Sequence, residues 1–432
     1  MPERWQAELR KLKNLEPPGD LWDRVMLGPR LATGGKPGRR WPGWVAPLAA
    51  AAAVVVAVAA AATVSGAIHG SRPAGDRPAA AAVYAVYEPG HVNPGKFIPG
   101  TIIPVHIATG TAGKPIRLPG FSGAAITPDG KTIYASTNGG IIPIRAATGT
   151  PGRPIRGSGG AGPLVINPNG KTGYGMSLLP TDTIFPVDLA TNTVGKPIHV
   201  GLGAEQIAFT PDGKIAYVLH PLFRGFSMVT PIDTATNTPG KPIRVGPSAD
   251  QIAVTPDGRT AYVAGMNTVT PISVATGTPG EPVQIHCCAV SLAVTPDGRT
   301  VYVGTALGRA CSVVPISTAT NTAGKPIRLG SRPPDEMAMT PDGRTVYVAN
   351  PEGPPGAVVP ISTATNTAGK PIGIGPGLTI AISGKTLYAA AWLTSGGAGH
   401  PKIVPVSTVT NTRGKPIRLP IRVGPPFRVL TP

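Results

Sequence analysis

The feature that most constrains this chain is a repeat. The motif Pro-Ile/Val-x-x-Ala-Thr-x-Thr-x-Gly-Lys/Arg/Glu-Pro begins at Pro104, Pro143, Pro186, Pro231, Pro271, Pro315 and Pro360, with a divergent copy at Pro405, at spacings of 39 to 45 residues. Between copies lies Thr-Pro-Asp-Gly, ending at Gly130, Gly213, Gly258, Gly298 and Gly343, with Asn-Pro-Asn-Gly ending at Gly170. Each period reads as four short β segments, a to d: an apolar run, the Asp-Gly turn, a second run with tyrosine, a third run containing the motif proline, and a fourth after the Gly-Lys-Pro. Proline presets the first turn corner, aspartate bonds its own backbone and glycine accepts positive φ, so the chain reverses there. One copy cannot bury both faces of its sheet and must pack on its neighbours.

The chain has 432 residues, of which 14% are charged, with 57 Gly and 53 Pro. Aperiodic, that composition would indicate disorder; periodic, it indicates many tight turns. The copies set a phase. Residues 79–87 align with a second strand that has no first strand before it, whereas Phe427–Pro432 resemble a first strand that stops in its turn. The expected fold is all-β: a closed propeller of four-stranded blades, eight by this count with seven as the alternative, the ring closed by pairing of the terminal strands.

Thr-Pro-Asp-Gly-Lys/Arg-Thr-x-Tyr-Val followed by Pro-Ile-x-x-Ala-Thr-Asn-Thr and Gly-Lys-Pro-Ile resembles the YVTN-type β-propeller repeat, approached most closely at Tyr347-Val348-Ala349-Asn350. The resemblance covers residues 79–432. It implies a propeller in a bacterial or archaeal surface protein and, more distantly, kinship with lactonase-like enzymes; it does not specify a function. Two departures stand out: many relatives have seven blades, and proline replaces an aliphatic residue in the third strand. A missing N–H inside a sheet costs a ladder bond, so a bulge or early end of pairing is expected there.

Ahead of the repeats, residues 1–43 form a basic tail, 44–68 an uncharged run long enough to cross a hydrocarbon core, and 69–78 a linker to the domain at 79–432. Lys36, Arg39 and Arg40 precede the run, which places the N-terminus in the cytosol and the propeller outside, on a single-pass membrane protein. The alternative is a cleaved signal, although the preceding polar region is long for one.

The sequence contains no HExxH, GxSxG, Walker or CxxCH motif, which leaves no catalytic residue, metal or cofactor to assign. Cys287, Cys288 and Cys311 are the only cysteines. Adjacent cysteines poorly serve one metal ion, and in an oxidising exterior the plainer reading is a disulfide from Cys311 to Cys287 or Cys288.

The a-b and c-d connections repeat nearly unchanged and should form one end of the disc, with a basic ring of Lys114, Lys131, Arg153, Lys171, Lys196, Lys214, Lys241, Arg259, Arg299, Lys325, Arg344, Lys370, Lys385 and Lys415. With a net charge of +18, this end is expected to face an anionic lipid surface. Nucleic acid fits less well, because aromatics do not interleave with the cations. The b-c and d-a connections vary and form the other end, where binding residues usually sit. Its ligand-binding candidates are Glu205, Asp250, Asp335, Glu336, His220, Phe223, Arg224, Trp392 and His400. Two functions follow: a non-catalytic scaffold that binds a protein, glycan or small molecule through this variable end, or a lactonase-like hydrolase using acids at the channel mouth with a divalent cation.

Overall fold

In the computed structural model of the protein, the described residues run from Ala82 to Thr431, except 88–99, 158–160, 178–181, 222–224, 308–309, 331–333, 335, 351–355, 376–377, 392–400 and 422–426. The tail, apolar run and linker expected over 1–78 lie outside them. Among the described residues there is no helix long and apolar enough to cross a membrane; every regular element is a β-strand.

The strands form antiparallel sheets in the order a-b-c-d, one per repeat. Units 1, 2, 3, 4, 6 and 7 begin at Phe121–Ile126, Ala161–Ile166, Gln206–Phe209, Gln251–Val254, Glu336–Met339 and Thr379–Ser383. Units 4 and 5 are fused into one nine-stranded sheet, because Val283–Val294 runs without a break from the fourth strand of one into the first strand of the next. The remaining sheet is composite. Ala82–Tyr87 pairs with Gly100–His106 on one side and with Phe427–Leu430 on the other, in register Tyr84↔Leu430 to Tyr87↔Phe427.

Each second strand is buried on both faces, and alternation decides which neighbour each side chain meets. In Thr260–Ala264, Ala261 and Val263 pack with unit 3, while Tyr262 and Ala264 pack with unit 5. Among the described residues there are eight such buried clusters, each joining two successive units. The last joins Tyr388 and Ile403 of unit 7 to Val83 and Val105 of the composite sheet, which in turn packs on unit 1 through Tyr84, Val86 and Ile133. A fully buried aliphatic side chain contributes about 1.5–3 kcal/mol, so the inter-unit clusters carry most of the stability.

The third-strand proline produces the expected interruption, in the strand beside it. Val105 pairs with Ala112 and Ile102 with Ile116, but between them Gly113-Lys114-Pro115 bows out, leaving Gly113 N–H to donate to Pro104 O at 2.7 Å. All eight copies repeat this bond at 2.7–2.8 Å, ending with Gly414 to Pro405. A Cβ on Gly195 would meet the Pro186 ring at 2.9 Å, which is why the motif pairs its proline with a glycine nine residues on.

Tyrosine and asparagine latch neighbouring units. Tyr174, Tyr262 and Tyr302 donate through their hydroxyls to Asn237, Asn321 and Asn366 of the following unit at 2.5–2.6 Å, and Tyr347 does the same to Asn411. These asparagines hold φ between 50° and 57°, a left-handed conformation that asparagine tolerates better than other non-glycine residues.

Candidate functional site

The two ends of the units differ in chemistry. At the repeated-turn end, Thr210 Oγ1 donates to Asp212 Oδ1 at 2.7 Å, the Lys214 N–H donates to the same oxygen at 3.1 Å, and Ile215 N–H donates to Thr210 Oγ1 at 3.0 Å. The Thr210 hydroxyl bond holds the Asp212 carboxyl below the usual range. The turns at Asp129, Asp257, Asp297 and Asp342 repeat the arrangement, so these carboxylates are consumed by the turn.

The basic ring divides into two sets. Lys131, Lys171, Lys214, Arg259, Arg299, Arg344 and Lys385 follow the a-b turns and are exposed at this end. Lys114, Arg153, Lys196, Lys241, Lys325, Lys370 and Lys415 instead sit in the Gly-Lys/Arg-Pro interruption of the outermost strands, on the rim. The proline opposite them displaces this segment from the turn, which the sequence reading did not anticipate.

At the variable end of units 3 and 4 the acids behave oppositely. Glu205 and Asp250 extend the starts of neighbouring first strands, their N–H groups donating to Leu219 O at 3.0 Å and Ala264 O at 3.1 Å. First strands of successive units pack on one another, which places this pair at the inner mouth. Burial pushes Asp250 up to about 7, with the Glu205 charge adding to the effect; burial also raises Glu205. Asp250 Oδ1 is buried without a hydrogen-bond partner, as are the side-chain amide nitrogens of Gln206 and Gln251. Such groups cost about 1–3 kcal/mol each when left unmade.

At the same end of these units lie three of the four exposed large apolar side chains found among the described residues: Leu202 (72% exposed), Phe226 (49%) and Met266 (43%). The Arg244 guanidinium stacks over the Phe226 ring, 3.3 Å from its centroid. Backbone strain gathers here too. Apart from the asparagines of the c-d turns (Asn192, Asn237, Asn321, Asn366 and Asn411), the described non-glycine residues with left-handed φ are Ser248 (48°), Asn267 (65°) and His286 (57°), all at this end, in unit 4 or the connection leading into it. Strain of this kind costs about 1–3 kcal/mol per residue and concentrates at functional sites.

Of the ligand-binding candidates read from sequence, Glu205 and Asp250 come together. Glu336 is engaged structurally: its Oε2 accepts the Ile380 N–H of the next unit at 2.7 Å, as Gln206 Oε1 accepts that of Ile252 at 2.7 Å. His220 is 3% exposed and hydrogen-bonded through Nε2 to Thr230 Oγ1 at 3.1 Å; burial pulls its pKa down to about 4, so it is neutral and held inside. Asp335, Phe223, Arg224, Trp392 and His400 lie outside the described residues. Leu202 and Met266 were missed, because a single apolar residue in a loop or at the tip of a strand carries no periodic signal.

The expected bridge is not formed: Cys287, Cys288 and Cys311 make no disulfide in the structure. The connection carrying Cys287 and Cys288 is strand rather than loop, and the register explains the outcome for Cys288: it lies opposite Ala306, which lies opposite Cys311. One intervening strand separates the two by roughly twice the 4.8 Å strand spacing, beyond the roughly 7 Å Cα limit for a bridge. Burial, the neighbouring Cys287 and Asp250 raise the Cys288 pKa, which adds it to the mouth cluster. Among the described residues there is no group of three or more His, Cys, Asp or Glu able to hold a metal ion.

No family model and no curated protein matches the sequence. Solved structures do. Dihydro-heme d1 dehydrogenase NirN in complex with DHE superposes with a TM-score of 0.61 at 14% identity, covering 83% of this chain and 78% of that one. Apo AztD from Citrobacter koseri gives 0.58 at 11% identity, covering 81% and 98%, and Kuenenia stuttgartiensis hydrazine synthase gives 0.51 at 21%, covering 70% and 96%. All three are β-propeller proteins. The described domain has the β-propeller fold. At these identities the likeness extends to fold alone, and the propeller's axis is where its first strands, with Glu205 and Asp250, converge.

Proposed function

We propose that this protein is an eight-bladed, closed propeller, anchored to a membrane by residues 44–68, that acts as a binding scaffold through its variable-loop end. The eight clusters that lead from unit to unit and back to the composite sheet, with Phe427–Leu430 beside Ala82–Tyr87, support the blade count and the closure. The resemblance to YVTN-type repeats fits the same reading.

The observation that carries the binding function is the variable end of units 3 and 4, where Leu202, Phe226 and Met266 are exposed at the same end as acids whose charge is disfavoured. An apolar rim around a few convergent polar groups is the usual make-up of a ligand site. A ligand with an apolar face and a hydrogen-bond donor or cation suits it, whether presented by a protein, a glycan or a small molecule. The test is a screen of peptides, glycans and lactones, with and without divalent cation, against the wild type, Phe226→Ala and Lys214→Ala. Binding lost in Phe226→Ala and kept in Lys214→Ala supports the scaffold. Metal-dependent turnover of a lactone would favour the hydrolase instead.

The basic set at the repeated-turn end is proposed to face anionic head groups, each near-surface cation adding about 1 kcal/mol. Salt-sensitive binding to anionic but not neutral vesicles supports this orientation, and equal, salt-insensitive binding to both contradicts it.

A further inference from the structure

Unit 7 departs from its siblings in charge. Between 353 and 432 the sequence has eight Lys/Arg and no Asp or Glu, so cations there find no acidic partner in their own segment. Lys402, at the start of the third strand, lies directly opposite Arg418 in the outer strand. The corresponding pairs elsewhere are Thr101↔Arg117, Met228↔Arg244 and Ser312↔Arg328, each with a neutral residue facing the arginine. Like charges directly opposite on a sheet are destabilising. Unit 7 adds another cation: Arg413 stands in the slot that the other copies of the motif give to Ala, Pro or Val.

Lys402, Lys415, Pro416 and Arg418 line a cavity of about 270 Å³. Arg413 is tied down beside it, its Nη1 donating to Gly373 O of unit 6 at 3.1 Å. Burial, with the Arg413 charge adding to it, lowers the Lys402 pKa, consistent with an ammonium that lacks a counter-ion. A positive cluster of this kind, with a guanidinium and two ammonium groups converging on one cavity, matches a tetrahedral oxyanion.

We infer that the outer edge of unit 7 is a binding site for a phosphate group, held by Lys402, Lys415 and Arg418 with Arg413 closing one side. The site lies on the rim, away from the mouth of units 3 and 4, and stands or falls independently of the binding function proposed there. Free inorganic phosphate and a phospholipid head group present the same chemistry to it.

Acylation footprinting of the full chain with acetic anhydride tests this, reading Lys402 and Lys415 against Lys325 and Lys370, which hold the same place as Lys415 in units 5 and 6. One arm contains inorganic phosphate, with chloride at matched ionic strength as control; the other contains phosphatidylglycerol or phosphatidylcholine vesicles. Severalfold slower labelling of Lys402 and Lys415 in phosphate identifies the free ion as ligand, and the same effect only with phosphatidylglycerol identifies the head group. Replacing Lys402→Thr or Arg413→Ala, the residues found in sibling units, should abolish protection of Lys415. No slowing in either arm, or equal slowing at all four lysines, overturns the site, and that result needs only the wild-type protein.

Discussion

The repeated-turn end and the variable end are built from the same strands, yet they drive the same side chain in opposite directions. Asp212 sits in a turn whose threonine hydroxyl and backbone N–H stabilise its charge, and its pKa falls. Asp250, one unit later and at the opposite end, is buried with its Oδ1 unpartnered, and burial, with the Glu205 charge adding to it, outweighs its own backbone N–H, so its pKa rises to about 7. Local hydrogen bonding explains the first wholly as structure. The second carries unmet polar groups and backbone strain that the fold itself does not require, and perturbed carboxyls of this kind mark candidate sites.

If the repeated-turn end is purely structural, breaking its latches should cost stability in proportion to the bonds lost. Asn366→Ala removes the Tyr302 bond and places alanine at φ 53°; the expected loss is about 2 kcal/mol in chemical denaturation, combining left-handed strain with one hydrogen bond. Asn366→Gly keeps the backbone conformation and should lose only about 1 kcal/mol. Equal losses in the two variants would show that the latch is not a matter of φ.

At the variable end the sign should reverse. Asp250 has a folded pKa of about 7 against an ordinary 3.8, so its contribution is most favourable below pH 3.8 and is lost as pH rises towards 7. At 1.36 kcal/mol for each tenfold change in proton affinity this would give at most about 4 kcal/mol, and the high effective dielectric even of buried sites reduces the expectation to about 1–2 kcal/mol. Asp250→Asn should therefore stabilise the protein by that amount at pH 8 and flatten the pH profile between 4 and 7. A loss of stability at pH 8 would contradict the burial argument.

Smaller effects sharpen the contrast. Thr210→Val deletes a hydroxyl that both donates to Asp212 and accepts from Ile215 N–H, and about 1 kcal/mol is expected. Phe226→Ala, at 49% exposure, should change thermal stability by less than about 0.5 kcal/mol, although it removes an aromatic ring. A large loss would mean that Phe226 serves the core and not a ligand.

The phase of the repeat was legible in the sequence because the Asp-Gly turn and the proline-glycine pair each have one local solution, repeated from Pro104 to Gly414. The register of Phe427–Leu430 against Ala82–Tyr87 followed from that phase. The fusion of units 4 and 5 was not foreseen, though a signal existed: His286-Cys287-Cys288-Ala289-Val290 is the one inter-unit connection without glycine or proline, so nothing stops the strand there. Of the site, the acids Glu205 and Asp250 could be placed because they flank first strands. The exposure of Leu202 and Met266, and the engagement of Glu336 with Ile380 N–H, depend on contacts between units that no single period encodes.

The most direct test of the difference between the ends is a site-resolved titration. In protein carrying ¹³C-labelled aspartate, with Asp212→Asn and Asp250→Asn variants to assign the signals, carboxyl shifts are followed from pH 2 to 9. The opposed surroundings of the two carboxyls predict a midpoint for Asp250 near 7 and one for Asp212 below 3.8. Midpoints for both within the ordinary carboxylate range of about 3.5–4.5 would contradict it.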